Sequence, residues 1–179
     1  MRRPAAFGLS LCLLATLSVT VSAARAQGEA APIPPACTAF DWSLMRELAW
    51  FSAPGLGEVA SGDTVAADMP GAVLKLRPDA EVEFPVPPSK EPAPGTYGGI
   101  LRFPALTTPG LYQVTLSEDA WIDVSQDGKT ARPPTAFTVK RDCPAIRKSV
   151  RYQFGTTPIL IEVSGAKRDA IKIAIAPAE

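Results

Sequence analysis

After Pro54 the chain shows no helical period, and its apolar residues fall instead into short runs separated by turn residues. That pattern restricts the bulk of the chain to a sheet fold. The runs cover residues 72–76, 80–84, 98–103, 111–116, 121–124, 136–139, 149–154, 158–163 and 170–175. Alternation is clearest where Val150, Tyr152 and Phe154 interleave with Arg151 and Gln153, and where Ile171, Ile173 and Ile175 recur at every second position. Such strands bury one face. The spacing predicts an all-β fold, an antiparallel, jelly-roll-like β-sandwich of eight or nine strands. Residues 85–94 hold five prolines and no apolar period, which predicts a surface crossing inside one domain and no second domain boundary.

Only one segment breaks the sheet pattern. Phe40, Leu44, Leu48 and Phe51 follow one another at spacings of four, four and three, with Met45 and Ala49 beside them and Arg46 and Glu47 off the stripe. This predicts one amphipathic helix over residues 38–53, capped by Thr38 or Asp41 and ended by Pro54-Gly55. Trp42 and Trp50 flank its apolar side. Ahead of it, residues 27–36 carry Pro32, Pro34 and Pro35 and predict an extended leader.

The first residues have the form of an export signal. Arg2 and Arg3 precede an apolar stretch from Phe7 to Val21, and Ala24-Arg25-Ala26 is a small-x-small cleavage site that would leave Gln27 as the new terminus. A membrane anchor needs roughly 20 apolar residues, and this stretch is shorter and interrupted by Ser10, Thr16, Ser18 and Thr20. Cys12 would leave with residues 1–26. The expected protein is periplasmic or secreted, with residues 37–179 as a single sandwich domain that includes the helix, and with no membrane span in the mature chain.

Export changes what the remaining residues can do. Cys37 and Cys143 are then the two cysteines left, 106 residues apart, in an oxidising compartment. One disulfide is the economical reading and two buried free thiols the other. The whole chain carries 18 basic and 18 acidic residues, and without the signal's three arginines the balance is 15 against 18. Nucleic acid is therefore a poor partner. Residues 27–100 hold 4 basic and 10 acidic groups and residues 101–179 hold 11 and 8, with a basic cluster at Lys140, Arg141, Arg147, Lys148 and Arg151. These could meet an anionic partner, or neutralise the acidic half of this chain.

The stretch "AWIDVSQDGK", residues 120–129, admits two readings. Asp123, Ser125, Asp127 and Gly128 have the opening spacing of a calcium loop, but its twelfth position, where a bidentate Glu belongs, is Pro134. Trp121-Ile122-Asp123-Val124 alternates and Asp127-Gly128 is a favoured two-residue turn, so a hairpin is the stronger expectation.

"PGLYQVTLSEDAWIDVSQDGK" is similar to the Gly-x-Tyr-x-Val strand and following strand–Asp-Gly–strand unit of bacterial pre-peptidase C-terminal domains, small β-sandwiches of exported proteins. "CTAFDWSLMRELAWFSAPG", "AWIDVSQDGK" and "CPAIRKSV" together resemble a family of small exported alphaproteobacterial proteins of unassigned function. Some members of that family carry a homogentisate dioxygenase label. Such an enzyme holds iron with two histidines and a carboxylate, and this chain has no histidine.

The missing histidine also removes Ser-His-Asp hydrolysis, Cys-His nucleophiles and the usual zinc sites. No Gly-rich phosphate loop is present, and no cofactor is expected. Carboxylate pairs of glycosidase type remain: Glu81 with Glu83 on one strand face, and Glu118 with Asp119 in a turn. The stronger expectation is a non-catalytic binding or envelope-accessory protein for an envelope glycan, an anionic envelope component or a protein. Its candidate surface is Trp121, Arg147, Lys148 and Arg151, with Tyr97, Tyr112 and Tyr152 as further aromatics. The alternative is an assembly subunit that packs on a partner through the Phe40–Phe51 helix.

Overall fold

The computed structural model describes residues 32–66, 68–69 and 71–179. The expected export signal, residues 1–26, and residues 27–31 of the expected leader lie outside the described residues. The described chain is built from β1 (Glu58–Ala60), β2 (Gly71–Lys75), β3 (Arg77–Pro78), β4 (Tyr97–Phe103), β5 (Gly110–Leu116), β6 (Trp121–Ser125), β7 (Ala136–Val139), β8 (Lys148–Phe154), β9 (Ile159–Ala166) and β10 (Ala170–Pro177), preceded by one α-helix, α1 (Met45–Ser52). A six-stranded sheet, in the order β1-β2-β10-β5-β8-β7, faces a four-stranded sheet, in the order β3-β4-β9-β6. All pairings are antiparallel except that of β1 with β2.

The period-two pattern decides which residues fill the space between the sheets. From the large sheet come Leu74, Val114, Leu116, Val150, Phe154, Ile171 and Ile173; the small sheet answers with Leu101, Ile122, Val124, Ile159, Ile161 and Val163. Each fully buried side chain of this size is worth about 1.5–3 kcal/mol relative to exposure. From β4 onward each connection crosses to the other sheet, as in a jelly roll. The exception is β7, which stays in the large sheet beside β8 instead of flanking β6. The small sheet therefore ends at β6 with one side unpaired by any strand.

A second, smaller core lies on the outer face of the large sheet. Phe40, Leu44, Leu48 and Phe51 pack there with Ile146, Ala174 and the Cys37–Cys143 disulfide, whose Cα atoms are 4.8 Å apart. The expected helix is shorter than its apolar spacing predicts. Residues 35–38 form a 3-10 turn, the helix proper begins at Met45, and no side chain caps it, neither Thr38 nor Asp41. Glu47 is not on a solvent face: it is buried and accepts 2.9 Å hydrogen bonds from Arg46 and from Gln113 on β5. Met45, placed beside the stripe, is exposed.

Two other expectations are corrected. Residues 80–84 are not a strand: Asp79–Glu81 is a 3-10 turn, and an irregular strap follows as far as residue 95. Val82 and Val86 of the strap are pegged into the outer face of the small sheet. The Asp127-Gly128 stretch is not a two-residue hairpin either. The strand after it, β7, pairs with β8 and not with β6, and only Gly128 of the two has positive φ, +68°. The bend is organised by side chains: the Asp127 carboxylate accepts from the N–H groups of Lys129 and Thr130 and from the Ser125 hydroxyl, each at 2.8 Å. Those donors hold the exposed Asp127 carboxyl far below the usual carboxylate range.

Candidate functional site

The missing partner of β6 leaves a cleft of about 350 Å³ between the edge of the small sheet and the inner face of β7 and β8. Its floor and far wall are apolar, formed by Pro133, Pro134, Phe137, Val139 and Val150. Phe137, on β7, is 65% exposed and is the most exposed large apolar side chain among the described residues.

Alternation along β8 determines what reaches the cleft. Lys148, Val150 and Tyr152 point into it, whereas Ser149 and Arg151 point to the α1 side. Across the cleft, three carbonyls of β6 and its approach turn away from β9, and each finds a donor. Ala120 O accepts from Lys148 Nζ at 2.7 Å, Ile122 O from the Tyr152 hydroxyl at 3.1 Å, and Val124 O from the Arg132 N–H at 2.7 Å. Residues whose carbonyl faces one side of an antiparallel strand carry their N–H on that side too, so the Ile122 and Val124 N–H groups also face the cleft.

Trp121 stands at the cleft's end, between it and a more polar hollow lined by Lys90, Asp119, Arg141 and Lys148. The indole is 37% exposed. Its Nε1 donates to Ser89 Oγ at 2.7 Å and to Asp123 Oδ1 at 3.3 Å, and the ammonium groups of Lys148 and Lys90 sit 4.9 and 5.5 Å from its ring centroid. The ring is thus fixed in place with cations beside it. Burial, and secondarily the Lys90 charge, hold the Lys148 ammonium below its ordinary pKa, while Asp119 and Asp123 oppose that shift.

Behind Trp121 lies a feature that sequence reasoning missed. Asp123 on β6 and Glu162 on β9 are direct cross-strand neighbours, both buried beneath the strap. Asp123 accepts from the Ser89 N–H at 3.1 Å and from its hydroxyl; Glu162 Oε1 accepts from the Val86 N–H at 2.9 Å, and its Oε2 has no partner among the described residues. Burial is the main cause of an upward shift of the Glu162 carboxyl, to which the Asp123 charge adds and against which the Val86 N–H works. The signal that could have found it is a lone acid inside the apolar run Ile159-Leu160-Ile161-Glu162-Val163.

The predicted site residues divide between two faces. Trp121 and Lys148 come together at the cleft. Arg151 stacks over Trp42 at 4.2 Å and donates to Glu179 O at 3.0 Å on the α1 side, and Arg147 borders a hollow on that same outer face. Of the tyrosines, Tyr152 is buried and Tyr97 and Tyr112 are half-buried against the core. The apolar side of the Phe40–Phe51 segment, which an assembly role through the helix would leave open, is buried in the chain's own fold.

The acidic pairs considered for catalysis lie outside the cleft. Glu81 and Glu83 are exposed and share no strand, while Glu118 and Asp119 pair with Arg168 and Arg141 at 3.2 and 2.9 Å. Asp123 and Asp127 serve different partners, the strap and the bend, and do not converge. Among the described residues there is no group of three or more side chains able to hold a metal, and no helix long and apolar enough to cross a membrane. No family model, curated protein or solved structure matches the chain, so the reading of the site rests on its geometry.

Proposed function

We propose that the protein is an exported, non-catalytic binding module whose β6–β8 cleft takes an anionic amphiphile, a molecule with an apolar body and an acidic head. The observation that carries this is the contrast along the cleft. The walls offer Pro, Val and Phe surface with few groups for sugar hydroxyls, and the Trp121 end offers Lys148, with Lys90 in the adjoining polar hollow. Pockets of a few hundred Å³, mostly apolar with a few convergent polar groups, are the usual form of small-molecule sites. The export signal in residues 1–26 and the disulfide support placement outside the cytoplasm.

Calorimetric titration tests the reading with three probes: decanoate, decanol and glucuronate. Decanoate should bind, decanol more weakly, and glucuronate not at all. Lys148→Met should weaken decanoate about tenfold through loss of the charge-assisted contact, and Phe137→Asp should abolish it. Binding of glucuronate without decanoate would return the site to saccharide recognition.

A further inference from the structure

We infer a second site, specific for a phosphate- or sulfate-type oxyanion, on the outer face of the large sheet at Arg147, Arg168 and Lys172. It does not depend on the cleft, which lies on the inner face of the same sheet.

The hollow there measures about 310 Å³ and lies between the loop that carries Cys143 and the outward residues of β2 and β10. Its lining is mainly polar. Three cationic side chains border it, Arg147, Arg168 and Lys172, against one acid, Glu118. That acid is already committed, since Glu118 Oε1 lies 3.2 Å from Arg168 Nε and so holds that guanidinium over the rim. Lys172 donates its ammonium to the Phe51 carbonyl at the end of α1. Two residual cationic charges therefore face one small volume without a counter-charge among the described residues that line it.

Arg147 makes the point sharper. Its Nε is buried with no hydrogen-bond partner among the described residues, and none of their ion pairs includes it. Buried donors in native proteins are nearly always satisfied, and guanidinium is the side chain whose fork matches a tetrahedral oxyanion. The backbone around it is held firmly: the Arg147 N–H donates to Leu116 O at 2.9 Å, and its carbonyl accepts from the Lys140 N–H at 3.0 Å. Ser117, also on the lining, accepts the Lys172 N–H at 2.9 Å and keeps its own hydroxyl proton to donate. A guanidinium on a rigid base, a second one held by Glu118, an ammonium and a hydroxyl form the donor set of an oxyanion site.

The ligand is a phosphate or sulfate group, carried either on a soluble molecule or on a lipid headgroup. The first arm of the test is the thermal midpoint of the disulfide-bonded protein in inorganic phosphate, compared with sodium chloride of equal ionic strength. A ligand that binds only the native state must raise the midpoint. The wild type should rise in phosphate beyond the salt control. Arg147→Gln should weaken the phosphate affinity about tenfold, and Lys129→Gln, at an exposed bend that borders neither site, should leave it unchanged. Arg168→Gln repeats the test at a more exposed position if the Arg147 variant does not fold. The second arm is sedimentation with phosphatidylglycerol vesicles against phosphatidylcholine vesicles: co-sedimentation lost in Arg147→Gln places the group on a headgroup, and a phosphate response without co-sedimentation places it on a soluble ligand. An equal response to phosphate and chloride, or an undiminished response in both arginine variants, overturns the site.

Discussion

Glu162 is the residue whose placement is hardest to reconcile with stability alone. It is 3% exposed, opposite a second carboxylate, with one oxygen tied to the strap and the other unpartnered. Because burial raises its pKa above the ordinary value of 4.5, the folded state holds this proton more tightly than the unfolded chain does. The native state therefore gains stability as pH falls from neutral through the raised pKa, and bears the full cost of the buried charge above it. Glu162→Gln removes that charge, keeps an acceptor for the Val86 N–H and offers an amide N–H toward Asp123. The variant should be more stable than the wild type at neutral pH by on the order of 1 kcal/mol, with the gap closing as pH falls toward 4.5. Denaturant melts across that range measure it. A glutamine variant less stable at neutral pH would mean that the charge itself holds the strap.

The element that gives the fold its character is β6, an edge strand covered by two side chains and one backbone N–H where a jelly roll would place another strand. An open edge is a template for pairing with other chains, and Lys148, Tyr152 and Arg132 occupy its three outward carbonyls in turn. Burial, with the Asp123 charge, pushes the Tyr152 phenol well above its usual range, so it stays a donor. Tyr152→Phe keeps the ring packed beside Phe154 but leaves Ile122 O unsatisfied in an apolar cleft. The loss should be about 1–2 kcal/mol in a denaturant melt, and a variant as stable as the wild type would show that water caps the carbonyl equally well. Alternation made the interior strands legible, because each must present one apolar face. It misled at residues 80–84, where Val82 and Phe84 alternate with Glu81 and Glu83 but belong to a proline-bounded strap that contributes single pegs and no ladder. Asp127-Gly128 marked a change of direction correctly, yet turn chemistry is local and could not say that β7 would cross to the other sheet. The basic cluster was misleading for the opposite reason: Arg147, Lys148 and Arg151 are close in sequence, and the period of two sends Lys148 to one face and Arg151 to the other. Trp121 could be named from sequence as an aromatic on a strand, whereas the cleft beside it depends on which strand is missing, and no local pattern records that.

At the scale of the described chain as a whole the fold is layered, with residues 35–52 on the large sheet, the small sheet beneath, and the strap outermost. The main core between the sheets and the smaller core under α1 share few side chains, and the disulfide belongs to the smaller one. Cys37 lies in the 3-10 turn before the helix and Cys143 in the loop between β7 and β8, so the bridge fastens the outer layer to the sheet and closes a loop of 106 residues. The chain-entropy account puts such a crosslink at about 4.7 kcal/mol. Its loss should fall unevenly. The helix has only eight residues and no side-chain cap, too short to persist without its packing, whereas the strands are held by their ladders and by the main core. In the Cys37→Ser/Cys143→Ser variant, amide exchange should therefore accelerate strongly across residues 35–52 and little in β4, β9 and β10, with global stability lower by a few kcal/mol at most. The buried Glu47–Gln113 hydrogen bond should open with the helix, because it is the polar link between α1 and β5. Hydrogen exchange read by mass spectrometry separates this from the alternative: uniform loss of protection in the helix and all strands would make the two cores one cooperative unit, and the bridge a staple for the entire fold.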